Sequence, residues 1–213
     1  PFGSNNLNRA VVLVTNAKST TELVASGYDP DAYRYQNFGQ ISGEFERVGD
    51  NNHIYLTNVN SEYEEINGIA YINMGGERIL LWDISTEGNI DISDLNVVGI
   101  GGRALYDNKT ITGITIGSSL KKIGASALAG MSRDSINTIT YLKGDFNLER
   151  IGVNAFYDSL LTTLGNTDGV VHLGGVKTVS GYAFGRCPIT NVIAPDVTTI
   201  NNSAFVGCAK LKS

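Results

Sequence analysis

With 213 residues, 42% hydrophobic and 17% charged, the chain can bury one substantial core or two small ones. Its 25 glycines against 4 prolines suit many tight turns between short segments. Two cysteines exclude a disulfide framework, no apolar run approaches the roughly 18 residues of a membrane span, and a net charge of −5 argues against nucleic acid. The charge is uneven: residues 1–95 carry 14 acids and 5 bases (−9), and residues 96–213 carry 7 acids and 11 bases (+4). Solvation explains most of that asymmetry, and a mildly basic face able to meet an anionic partner is the alternative.

In chain order, "AVVLVT" (10–15) reads as a buried strand. Asp29 and Pro30 in "YDPDAYRYQNF" mark a turn or a helix start. "HIYLTNV" (53–59) alternates as a strand does, and "INGIAYINM" (66–74) reads as another, with turns at "GDNN" (49–52) and "MGGE" (74–77). Six of the ten tyrosines fall between 28 and 71; packing is the first explanation, and an aromatic contact surface the second.

From residue 78 onward the chain repeats itself. "IGGRAL", "IGASAL", "IGVNAF", "VSGYAF" and "INNSAF" begin at Ile100, Ile123, Ile151, Val179 and Ile200, at steps of 23, 28, 28 and 21 residues. Each is an aliphatic residue, three small or polar residues, Ala, then Leu105, Leu128, Phe156, Phe184 or Phe205. Between them lie apolar residues spaced +0, +3 and +5, as in Ile111, Ile114 and Ile116. Residues separated by one share a strand face, and a unit this short cannot bury its own apolar side. Stacked units can, so the pattern predicts a β-rich repeat solenoid with short strands and irregular or short helical turns. "MSRDS", "LKGDFN" and "GNTDGV" are expected to bulge as insertions on one face.

These phrases resemble the BspA-like leucine-rich repeats of bacterial surface proteins, whose unit runs IGxxAFxxCxxLxxIxIPxxLxxIG. Residues 179–213 carry the closest likeness, and "LWDIS" (81–85) is similar to the entry unit's LxxLDLS. The resemblance implies a right-handed leucine-rich repeat coil over 78–213, about five units with the last incomplete, and residues 1–77 are assigned as its N-terminal cap. It also implies a secreted or cell-surface protein, lipid-anchored in some family members, that adheres to a host or bacterial protein or glycan without enzymatic activity. A structural spacer or assembly domain of a larger surface protein is the alternative. The sequence shows no signal peptide, which is taken as removed or lying outside it.

Chemistry is sparse. Cys187 and Cys208 share one phase, three residues after Phe184 and Phe205, so they stand on neighbouring coils. Coil spacing allows a disulfide, but buried thiols filling a small slot are the simpler reading. His53 and His172 lack metal-ligand spacing, so no metal or other cofactor is expected. "GIGGRA" (99–104) lacks a phosphate-loop lysine, and Asp29/Asp31 and Asp91/Asp94 are ordinary loop carboxylates. The candidate ligand face is outward-pointing: Lys121, Lys122, Arg150 and Lys177 just before each opening aliphatic, and Thr115 with Thr140 between strand apolars. Leu211 stands where a further strand would begin, so residues 206–213 are expected to be covered or to belong to a trimmed piece.

Overall fold

The computed structural model describes residues 10–13, 36–37, 45–48, 53–56, 61–74, 76–130 and 134–212. The chain divides into two compact units, residues 1–62 with 73–75, and residues 63–72 with 76–213. In the first, strands β1 (Ala10–Leu13), β2 (Gln36–Asn37), β3 (Phe45–Val48) and β4 (His53–Leu56) form a sheet in the order β1-β4-β3-β2. Its β1–β4 pair is parallel and its other pairs antiparallel. The strands read from "AVVLVT" and "HIYLTNV" are therefore present, while the turns at 29–30 and 49–52 lie outside the described residues.

The second unit begins with a correction. "INGIAYINM" is not one strand: Asn67 (φ 50°) and Gly68 (φ 77°) make a tight turn between β5 (Ser61–Ile66) and β6 (Ile69–Met74). Two successive positive φ values are what a type I′ hairpin requires, and Asn-Gly supplies them at least cost.

Beyond β6 the chain coils. One ladder takes β7 (Glu77–Asp83), β9 (Val97–Ile100), β11 (Lys122–Ile123), β13 (Arg150–Ile151), β16 (Thr178–Val179) and β18 (Thr199–Ile200). The other takes β8 (Gly88–Ile92), β10 (Ile111–Ile116), β12 (Tyr141–Lys143), β14 (Thr163–Leu164), β15 (Val170–His172) and β17 (Asn191–Ile193). The pairings among β7 to β18 in the two ladders are parallel, and β5 and β6 extend the first to eight strands. The only helix among the described residues is a single 3-10 turn, Ser93–Leu95. The second unit is thus the repeat solenoid that the phrases predicted.

The repeated phrase forms a third side, a ladder of turns. The N–H groups of Arg103, Leu105 and Asp107 donate to the carbonyls of Ala125, Ala127 and Ala129 on the next coil at 3.0, 2.7 and 2.7 Å. Asn154, Phe156 and Asp158 repeat this toward Gly181, Ala183 and Gly185. Between these bonds the turn must curl, so Arg103, Asp107, Ser126, Asn154, Asp158, Tyr182, Arg186 and Ser203 take left-handed backbone angles. The template's Ala column (Ala104, Ala127, Ala155, Ala183) is fully buried, because only a methyl fits where coils meet. Leu105, Leu128, Phe156 and Phe184 fill the centre, with Phe156–Phe184 and Phe184–Phe205 stacked at 5.2 and 5.4 Å. Ile100, Ile123, Ile151 and Val179 close the core beneath the first ladder.

Three readings change. Ile200, expected in the core, is 61% exposed, and Phe205 and Cys208 are only partly buried, because among the described residues no coil stacks on β18. "GNTDGV" does not simply bulge: Gly165 and Gly169, both at positive φ, turn the chain so that β15 adds an extra parallel rung beside β14. Of "LKGDFN", Leu142 and Lys143 lie within β12; of "MSRDS", residues 131–133 lie outside the described residues.

Candidate ligand groove on the turn face

The stripe chosen from the sequence is in register but not a field of positive charge. Lys122 stands between Gly99 and Arg150 on neighbouring strands. Lys121 Nζ lies 3.4 Å from the Glu149 carboxylate, and Lys177 Nζ 3.1 Å from that of Asp196. Asp196 is held below the usual carboxylate range by the Gly175 N–H first and Lys177 second. Acids thus break up this face, and exposed pairs of this kind carry little energy. Thr115 and Thr140 are not neighbours. Thr115 pairs in register with Lys143 and Asp91, whereas the Thr140 N–H and hydroxyl both donate to the Thr112 carbonyl at 2.8 Å. The phase read from the sequence is three residues out.

The cysteines are free thiols with a structural task. Cys187 Sγ donates to the Phe156 carbonyl at 3.0 Å, and Cys208 Sγ to that of Phe184 at 3.0 Å. Two coils earlier, Asn137 Nδ2 does the same for Leu105. The column therefore holds small donors that satisfy a buried carbonyl, rather than an apolar filler. Burial pushes Cys187 up to about 12 and also raises Cys208, so neither is a ready nucleophile. Among the described residues, no group of three or more His, Cys, Asp or Glu side chains is placed to hold a metal.

The groove lies instead on the turn ladder. Its positions are the residue before each Ala (Arg103, Ser126, Asn154, Tyr182) and the residue after each Leu or Phe (Tyr106, Ala129, Tyr157, Gly185), of which Ser126, Ala129 and Gly185 are buried. Where one coil places Ser126, Ala129 and Gly130, the surface sinks into a slot of about 390 Å³. Arg103 and Tyr106 form one wall, and Asn154, Tyr157 and Tyr182 the other. A second hollow of about 460 Å³ continues past Tyr157 and Tyr182 to Arg186, Val206 and Ile136. Tyr157 and Tyr182 meet edge to face at 6.1 Å, and Arg186 lies 5.0 Å over the Tyr157 ring while bonding the buried Asp158 carboxylate at 3.1 Å. Gly185 makes this possible: a Cβ there would stand 2.5 Å from the Tyr157 ring. None of these groove residues was singled out from the sequence. They occupy the positions that vary within the template, and lining up those positions across coils would have exposed the Tyr/Arg cluster.

Parallel short-strand coils with a stacked turn ladder define a leucine-rich repeat solenoid. Residues 85–175 match the BspA type leucine rich repeat region in six copies. Among solved structures, a leucine rich cell surface protein from Faecalibacterium prausnitzii is similar over 71% of this chain, at 16% identity and a TM-score of 0.41. The chain matches about half of that protein, 54% of its length. No curated protein matches. No described helix is long and apolar enough to cross a membrane.

Proposed function

We propose that this domain is a non-enzymatic binding module displayed at a cell surface, and that its contact surface is the turn-face groove rather than the lysine stripe. The observation that carries this reading is the pair of hollows joined at Tyr157 and Tyr182 and flanked by Arg103 and Arg186. Tyrosine and arginine are the side chains that dominate contact energetics, and here they share one concave surface. The match of residues 85–175 to BspA type repeats, together with their resemblance to the repeats of bacterial surface proteins, supports the location. An assembly or spacer role is the second reading, and it draws on the exposed apolar residues Ile193, Ile200 and Val206 of the last coil.

The test is a panel of immobilised purified extracellular proteins and oligosaccharides, probed with the wild-type chain, Tyr157→Ser, and Lys121→Gln/Lys177→Gln. The groove reading expects at least one panel member to bind wild type and the lysine variant alike and to lose Tyr157→Ser. Equal binding by all three, or none by any, would favour the spacer.

A further inference from the structure

The groove's chemistry is more specific than "binding surface". We infer that it takes a carboxylate-bearing saccharide, with Arg103 receiving the acid group and Tyr157 and Tyr182 the sugar ring faces. This rests on the groove being the contact surface.

Three observations point there. First, the groove offers an extended peptide almost no backbone donors, the Tyr182 N–H excepted. Every N–H from Arg103 to Asn108, from Ser126 to Gly130 and from Asn154 to Ser159 is already bonded within its turn or to the next coil. One such N–H cannot sustain a ladder, so strand addition, the usual source of peptide affinity at an elongated surface, is disfavoured. A sugar needs only ring faces and side-chain donors, and Tyr106, Tyr157, Tyr182, Ser126 and Asn154 provide both.

Second, the cations at the two ends differ. Arg186 is neutralised by Asp158. The Arg103 guanidinium lies 4.9 Å over the Tyr106 ring and bonds no acceptor among the described residues; its Nε is shielded from solvent and unsatisfied. A planar guanidinium held against an aromatic face, with no anion of its own, is arranged for a carboxylate. Asp107, the nearest acid in sequence, is bound to Lys109 at 2.6 Å and Ser135 at 2.6 Å.

Third, bulky residues stand where the backbone disfavours them. Arg103 (φ 56°) and Tyr182 (φ 57°) occupy the left-handed position that Ser126, Asn154 and Ser203 fill with small polar side chains on other coils. An aromatic residue at positive φ is unusual, and such strain gathers at functional sites.

The experiment is titration calorimetry of the intact chain with tetragalacturonate and with sialyllactose. Their carboxyl-reduced or asialo counterparts and a tetraglutamate peptide serve as competitors. Arg103→Ser and Tyr182→Asn copy the residue the neighbouring coil already uses (Ser126 and Asn154), so the fold should persist, which circular dichroism checks. The inference expects at least one acidic saccharide to bind saturably, its neutral counterpart to bind at least tenfold more weakly, and both variants to lose at least tenfold. Equal affinity for neutral sugar, tighter binding of tetraglutamate, undiminished binding by folded variants, or no acidic saccharide binding would overturn it. If a protein from the panel above still needs Tyr157 while no acidic sugar binds, the saccharide inference falls and the groove reading stands.

Discussion

The stacked phenylalanines give the most direct handle on the solenoid's cohesion. Phe184 is fully buried, with Phe156 at 5.2 Å on one face and Phe205 at 5.4 Å on the other. Phe205 has only the inner neighbour and is partly buried. Truncating a buried Phe to Ala costs about 3–5 kcal/mol through lost transfer energy and the cavity left behind. Each aromatic pair contributes about 0.5–1.5 kcal/mol of geometry-dependent attraction. Phe184→Ala loses full burial and two stacks, placing it near the top of that range, at about 4–5 kcal/mol. Phe205→Ala loses part of its burial and one stack, about 2 kcal/mol. Guanidinium unfolding followed by far-UV circular dichroism should show a midpoint drop at least twice as large for Phe184→Ala. Equal drops, or a larger drop for Phe205→Ala, would refute the reasoning that burial grows inward from the last coil. Phe184→Leu copies Leu128 in the same column and should cost under about 2 kcal/mol.

Alkaline pH should destabilise the fold. Cys187 is raised to about 12, and burial raises Cys208 and Tyr71 as well. A folded pKa above the unfolded one means that the unfolded chain releases its proton first, so stability is full below about pH 9 and falls as pH rises toward 12. For Cys187 alone the slope approaches about 1.4 kcal/mol per pH unit, read as a falling melting temperature between pH 8 and 10.5. Cys187→Ala removes the donor to the Phe156 carbonyl and should cost about 1–2 kcal/mol, while a serine at that position should recover part of it, both measured by denaturant midpoint. Gly185→Ala would drive a Cβ against the Tyr157 ring, displacing it from Arg186. Groove binding should fall at least tenfold with a stability loss below about 2 kcal/mol, measured by calorimetry and thermal melting.

The fold was legible because its repeat is written in residues that cannot vary. The Ala column allows coils to approach, and the Leu/Phe column fills the centre, so both survive in all five phrases. Register within the second ladder was not legible. "INTITYLKG" holds an apolar triplet beginning at Ile136 and an overlapping pair, Ile139 and Leu142, at the same first spacing, and only packing chooses between them. The fold uses Ile139 and Leu142 as its buried pair and lays Tyr141 over Gly113, where a Cβ would collide with the ring. The extra rung of β15 was hidden because "GNTDG" reads as any loop does. The groove was missed for the opposite reason to the core: a template records what stays the same, and ligand positions are where the template is silent. Only the turn ladder's alternation of inward and outward residues brings Arg103, Tyr106, Tyr157 and Tyr182 together.

Under the proposed function, this domain meets its ligand through the turn face. Hydroxyl-radical footprinting of the intact chain, with and without the panel member that binds it, tests this most directly. Contact at the turn face should protect Tyr106, Tyr157 and Tyr182 and leave the exposed residues beside Lys121 and Lys177 unchanged. Protection confined to the lysine stripe, or to Ile193, Ile200 and Val206 on the last coil, would contradict it.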